Sequence, residues 1–284
     1  MKEIYGKLKY LVSKKKTLDE ICNILSMNES EVLFLLNSVG IYSYPKYKLN
    51  IGNNTYFLSP RKEHLKIILL GDTHMCHIND NIDLINKIYD DAEDNNVDYI
   101  FHSGDVCDGI INAKNYNKEL KCDRYNTQLE YMIDKYPRYS GKTYMISGNH
   151  DDKWYILTGK DILSDLESKR DDIVYLGMNR GFIRLNNINF EIIHGSLNPN
   201  TLRQFKINDY INTSNANIIH CGHMHTSSYV NEKNKYFFRT ASLCGETKFS
   251  LNHNLKNENS IYYIDLYQDE NGIKKLNKKL EVFK

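Results

Sequence analysis

Apolar residues recur along this chain in two different rhythms. Before residue 40 they fall at helical spacing, with Leu18, Ile21, Ile24 and Leu25 making one stripe and Val32, Leu35 and Leu36 a second. Thr17 with Glu20, and Asn28 with Glu31, stand three apart at the head of each stripe, the spacing of a capping box, and Gly40 supplies a stop for the second. Two short helices follow from this, arranged as in a helix-turn-helix. The next stretch, "YKLNIGNNTYFL", places Gly52 to Asn54 where a hairpin wing would turn. From about Leu65 the rhythm changes to short apolar runs: Ile67 to Leu70, Val97 to Phe101, "TYMI", "NFEII" and "NIIH". Such runs predict strands buried on both faces. Further strands are expected in "KYFFRTASLC" and "NSIYYIDLYQDENGIKKLNKKLEVFK", with hairpin turns at Asn234 and at Asn271 and Gly272. Pro60 and the charges around it mark the junction, so residues 1–62 read as a small helical module and 63–284 as a larger α/β domain.

Each apolar run of the larger part ends in polar residues. Asp72 and His74 follow the first, Asp105 and Asp108 the second, Asn149 and His150 the third, His194 the fourth, and His223 and His225 the fifth. Open α/β sheets build their sites at strand C-termini in this way. Imidazoles, an amide and carboxylates make a mixed nitrogen and oxygen donor set, too large for one ion and suited to two. Asp105, in the middle of the order, is the candidate bridge between them. A pair of ions so held activates water and clamps the attacking and leaving oxygens of a phosphoryl centre.

The order D-x-H, G-D-x-x-D, G-N-H-[DE], H and G-H-x-H resembles the calcineurin-like metallophosphoesterase superfamily, over residues from about Leu65 to the C-terminus. The resemblance implies a two-sheet β-sandwich flanked by helices, behind the helix-turn-helix-like front module. It implies Asp72, His74, Asp105 and His225 around one divalent ion and Asp105, Asn149, His194 and His223 around another. His150 would face the phosphate as an acid, with Asp108 orienting its ring. The protein phosphatase branch carries arginine directly after the second Asp of G-D-x-x-D, where this chain has Gly109. Arg203 and Lys206 are the candidates to replace that phosphate contact. His77 and Asp152 are extra polar groups to which the resemblance assigns no role, read as supporting or solvated. A front helical module ahead of such a domain is similar to the arrangement in phosphoesterases of phages and of bacteria carrying them.

The expected activity is metal-dependent hydrolysis of a phosphodiester, in nucleic acid or a nucleotide, with two divalent ions: Mn first, then Fe, Zn, Ni or Mg. Two alternatives stand beside it. One is a small-nucleotide phosphodiesterase or phosphomonoesterase, and the other a non-catalytic DNA-binding regulator that senses a phosphorylated ligand. Charge gives no global hint of a polyanion partner, since the 284 residues carry a net +1. The front module is the basic part, with eleven Lys and Arg against six Asp and Glu through Lys66. Its second helix nevertheless has no cation between Asn28 and Gly40, which weakens a base-reading role and leaves DNA or protein contact open. Between the second and third motifs, Tyr116, Tyr125, Tyr131, Tyr136 and Tyr139 either form a wall for stacking bases, with Lys114, Lys118, Lys121 and Arg124 toward phosphates, or fill helix faces. Six cysteines without CxxC spacing, no signal-peptide pattern and no apolar run long enough to span a bilayer predict a cytoplasmic protein that is not in the membrane.

Overall fold

The computed structural model describes residues 2–39, 41, 54–110, 116–196, 207–252 and 258–283. At the front stand α1 (Lys2–Ser13), α2 (Leu18–Leu25) and α3 (Glu29–Ser38). Both capping boxes form. Thr17 Oγ1 accepts from the Glu20 N–H at 3.3 Å while the Glu20 carboxylate accepts from the Thr17 N–H at 2.8 Å, and Asn28 with Glu31 repeats the exchange at 3.0 and 2.8 Å. The apolar stripes meet α1, which the sequence pattern did not announce, in a core of Leu8, Leu11, Leu18, Ile21, Val32, Leu35 and Leu36. Ile24, counted in the first stripe, is exposed.

The larger part is two six-stranded sheets. The first runs β12-β11-β2-β3-β4-β5, built from β2 (His64–Leu70), β3 (Tyr99–His102), β4 (Lys142–Ser147), β5 (Ile173–Met178), β11 (Asn259–Asp269) and β12 (Gly272–Phe283). Its β2 to β5 are parallel, and β11 and β12 return antiparallel as a hairpin. The second runs β1-β6-β7-β8-β10-β9, from β1 (Thr55–Leu58), β6 (Arg180–Leu185), β7 (Ile188–Ile193), β8 (Ile218–Cys221), β9 (Ser228–Glu232) and β10 (Lys235–Arg239). Both expected hairpin turns are present, with Lys233 and Asn234 at φ 52° and 61° and Gly272 at φ 113°.

Layering explains the continuous apolar runs. In β2, Leu65, Ile67 and Leu69 face the second sheet, where Ile183, Phe190, Ile192 and Phe238 meet them. Ile68 and Leu70 face the other way, onto α4 (Ile82–Asp94), α5 (Tyr125–Lys135), α6 (Asp152–Thr158) and α7 (Ile162–Glu167). α8 (Ile207–Thr213) covers the far side of the second sheet through Ile207 and Ile211. A strand covered on both faces has no polar positions to alternate.

Two expectations change. Thr55–Leu58, assigned from the sequence to the front module, pairs in parallel with β6 as an edge of the second sheet. Gly40, and Gly52 and Asn53 of the proposed wing turn at Gly52 to Asn54, lie outside the described residues. The tyrosines after the second motif are filling, not a stacking wall: Tyr125 and Tyr136 are buried in the helix–sheet core, and Tyr131 and Tyr139 pack against it. Lys114 and the Tyr116 side chain lie outside what is described. Among the described residues no helix is long and apolar enough to cross a membrane.

Phe101 is fully buried between the sheets, with ring centroids 5.3 Å from Phe190 and 5.8 Å from Tyr144. Phe101→Ala is expected to cost about 3–5 kcal/mol in equilibrium denaturant unfolding. Phe57→Ala, at a side chain 73% exposed on β1, should stay within about 0.5 kcal/mol.

Candidate metal centre

The parallel strands all end at one edge. The loops after β2, β3 and β4 meet there with those after β7 and β8, and they carry every ligand expected from the sequence. The backbone at that edge is unusual: Asp72, His74, Asp105, His223 and His225 have φ of 50°, 43°, 52°, 70° and 51°. Left-handed conformations at non-glycine residues cost on the order of 1–3 kcal/mol each and persist only where surrounding structure fixes them. Main-chain bonds do much of the fixing: Asp72 N–H to Gly104 O at 2.9 Å, His74 N–H to Asp105 O at 3.0 Å and Asp108 N–H to Met75 O at 2.8 Å. His102, fully buried behind the loops, adds a second tie. Its Nδ1 accepts from the Gly104 N–H at 3.1 Å, so Nε2 donates to Thr73 Oγ1 at 3.2 Å, and that hydroxyl donates to Val106 O at 2.9 Å. Burial keeps this imidazole neutral, with its pKa pushed down to about 3.

Lone pairs converge at the centre. His74 Nδ1 donates to Asp108 Oδ1 at 3.0 Å, which leaves Nε2 unprotonated in the neutral ring, and that atom lies 3.2 Å from His225 Nε2. His225 Nε2 in turn stands 3.3 Å from Asp72 Oδ1. On the other side His194 Nδ1 donates to Ser103 O at 2.9 Å. Its Nε2 therefore faces Asn149 Oδ1 at 3.0 Å and Asp105 Oδ2 at 3.1 Å as a third acceptor. Asp105 Oδ2 is also 3.8 Å from His74 Nε2, so one carboxylate oxygen looks toward both halves. Asp72, His74 and His225 form one cluster of potential ligand atoms and Asp105, His194 and His223 another. Around His194 acceptors this close repel one another unless positive charge sits among them. The donor chemistry therefore fits divalent cations of the mixed nitrogen and oxygen class.

Without metal, protons must supply that charge. Burial disfavours a charged His194, yet Asp105 outweighs it and pushes the imidazole up to about 9. For His150 burial again opposes charge, and Asp105 with Asp108 lifts it to about 10. Burial works to raise Asp105 and Asp108, but the facing imidazoles hold both below the usual carboxylate range. His223 is pushed down to about 4, first by burial and then by His194.

His150 is placed differently from the other imidazoles. It shares a cluster with His74 and Asp105, its N–H donates to Asp105 Oδ1 at 2.8 Å, and its Nδ1 donates to Asp108 O at 2.9 Å. Asp108 Oδ1 is 3.3 Å from the same nitrogen, so that carboxylate serves His74 and His150 together. Sequence reasoning assigned it only the second.

Asp151 was given no role from the sequence. It is buried, and its carboxylate accepts from Val106 N–H at 3.1 Å, Cys107 N–H at 2.8 Å and Gly148 N–H at 2.9 Å, clamping the G-D-x-x-D loop to the G-N-H loop. Asp152, read as supporting or solvated, is buried among polar partners, and His77 is likewise buried, its Nδ1 accepting from the Asn79 N–H at 3.0 Å. Gly109 has φ 63°, and a Cβ there would collide with the His150 carbonyl, so no arginine can stand in its place. Arg203 and Lys206 lie outside the described residues.

Residues 65–252 match the family model of the calcineurin-like phosphoesterase superfamily domain. No curated protein matches the chain. Among solved structures the chain is similar to an archaeal phosphodiesterase, at 15% identity over 77% of this chain and 100% of that one, with a TM-score of 0.48. It is also similar to vacuolar protein sorting 29 from Cryptosporidium parvum, at 12% identity over 78% and 98% with a TM-score of 0.46. A phosphoesterase from E. coli aligns at 14% identity over 75% and 98%, with a TM-score of 0.42.

A metal-ligating histidine must be neutral, so loading the metal-free protein at pH 7.5 should expel the His194 proton. Calorimetric Mn titrations in buffers of different ionisation enthalpy should report release of about one proton per chain. His194→Gln should abolish it. The stability held by charged His150 and His194 in the metal-free protein is complete below about pH 6.5 and lost as pH rises through 9 to 10. Its melting temperature should fall across that window.

Proposed function

The chain belongs to the calcineurin-like phosphoesterase superfamily, and from that premise we propose that it hydrolyses a phosphodiester with two divalent ions. The observation that carries this is His194 Nε2 facing both Asn149 Oδ1, at 3.0 Å, and Asp105 Oδ2, at 3.1 Å, beside the facing nitrogens of His74 and His225. Asp72, His74, Asp105 and His225 would hold one ion, and Asp105, Asn149, His194 and His223 the other, with Asp105 shared between the two sets. Bound there, the two ions would supply Lewis-acid neutralisation of a phosphate and a nucleophile from water at neutral pH. The donor set accepts Mn, Fe, Zn or Ni, and we assign Mn as the activating ion.

The protein's own groups do the rest. His150, its Nδ1 fixed on the Asp108 carbonyl, keeps Nε2 for a proton that it gives to the departing oxygen. Asp108 stabilises that imidazolium while it orients His74. Gly109 leaves no phosphate-gripping arginine in this loop, which argues for a diester, with one charge less to neutralise, over a phosphorylated side chain. Nucleic acid or a nucleotide is the proposed substrate class. The front helices we assign to a separate module ending before β1. On α3, Glu29, Glu31 and Phe34 are exposed, a surface that suits protein contact better than a phosphate backbone.

Asn149→Ala should lower Mn occupancy, whereas His150→Ala should keep both ions and lose turnover. General acid help is worth ~10²- to 10⁴-fold where the leaving group needs a proton. The His150→Ala loss should therefore be large for a nucleoside alkoxide and much smaller for a nitrophenolate. Equal losses would reduce His150 to a charge stabiliser, and a missing ion in His150→Ala would refute the assignment. A panel of single-stranded DNA, duplex ends, RNA, cyclic nucleotides and phosphomonoesters identifies the substrate.

A further inference from the structure

Asp152 follows the motif residues and is buried. Its carboxylate accepts from Ser147 Oγ at 2.5 Å and from Asn179 Nδ2. Asn179 is the single residue between β5 and β6, where the chain leaves the first sheet for the second, and it turns with φ 57°. Its N–H bonds back to Ser147, to the carbonyl and to Oγ at 3.2 Å each. Its own carbonyl accepts from the His194 N–H at 3.0 Å, and its Oδ1 accepts from Ser196 Oγ at 2.9 Å.

These bonds lead to two ligands. Ser147 ends β4, two residues before Asn149, and the Asp152 N–H closes the same turn on Gly148 O at 3.0 Å. On the other side Asn179 holds the main chain of His194. The side chains so placed, one from each sheet, meet at 3.0 Å between Asn149 Oδ1 and His194 Nε2. The other cluster rests on different supports: Asp72 O receives the Leu243 N–H at 3.1 Å and Ser242 Oγ at 2.8 Å, and His74 leans on Asp108. Neither touches Asp152 or Asn179. A carboxylate buried against neutral donors is costly to the fold, and here it joins the elements that bring one ligand pair together across the two sheets.

We infer that Asp152, acting through Asn179, is a positioning residue for one of the two ions only, the ion between Asn149 and His194. It sets the spacing of ligands that come from different sheets, as hydrogen-bond partners of metal ligands do elsewhere. The inference rests on the two-ion reading above.

The test is Mn binding to the metal-free protein, by calorimetry and by electron paramagnetic resonance of free Mn. Wild type should take two ions. Asp152→Ala should keep one at wild-type affinity and hold the second ~10- to 100-fold more weakly. Asp152→Asn can accept from Asn179 and donate to Ser147 Oγ, so it should restore the second ion. Asn179→Ala should reproduce the Asp152→Ala loss, and the double variant should be no worse than either alone. If Asp152→Ala does not fold, Ser147→Ala, which removes one arm, should weaken the same single ion. Two ions at wild-type affinity in Asp152→Ala, or an equal loss of both, overturns the inference while the two-ion reading stands. Wild type binding fewer than two overturns that reading and the inference with it.

Discussion

Mutual repulsion among acceptors governs the edge where the strands of both sheets end. His194 Nε2 lies 3.0 Å from Asn149 Oδ1 and 3.1 Å from Asp105 Oδ2, with Asp105 reaching toward His74 as well. Asp105 and His194 are buried, and Asn149 is half-buried beside them. Such a cluster demands positive charge, and it tells protons and metal ions apart by what each does to the histidines. The fold is arranged so that this demand is met from outside the polypeptide, since no lysine or arginine side chain bonds to the cluster among the described residues.

Holding the acceptors in place is the work of the loops. Five candidate ligand residues adopt left-handed backbone, which their side chains resist, and a dense set of bonds behind them holds that conformation. The ties come from carboxylates as well as main chain. Asp151 collects three N–H groups from two loops, and Asp152 spans the gap between the sheets. Burial raises both, Asp151 to about 6 with Asp105 adding to it and Asp152 to about 7 with Asp151 and Asp105 adding to it. The layered core carries these loops: the strands they follow are packed on both faces.

Much of this was legible because it is local. Capping boxes at Thr17 and Asn28 need only a four-residue window, and both formed. Sealed strands announce themselves as unbroken apolar runs, and the order of polar residues behind them brought Asp72, His74, Asp105, Asn149, His150, His194, His223 and His225 to one edge. What failed was non-local. Thr55–Leu58 sits next to turn-forming residues that suggest a wing, but its partner is β6, more than a hundred residues away. Asp151 and Asp152 look like solvated neighbours of a motif until the donors from Val106, Cys107 and Asn179 are seen. The tyrosines of α5 and its flanks carry no periodicity that separates a buried ring from a stacking platform, and the packing on Trp154 and Tyr89 decided it. α1 hid behind its lysines.

Gly109 also limits what this scaffold can become. Its left-handed backbone and the His150 carbonyl pressed against it exclude every side chain at the one position where a related branch carries arginine. Gaining that arginine would require the loop to be rebuilt and the His150 turn to move with it, several coordinated changes whose single steps each damage the centre. Descendants of this sequence are therefore confined to neighbouring routes. New side chains facing the candidate centre must come from positions other than 109.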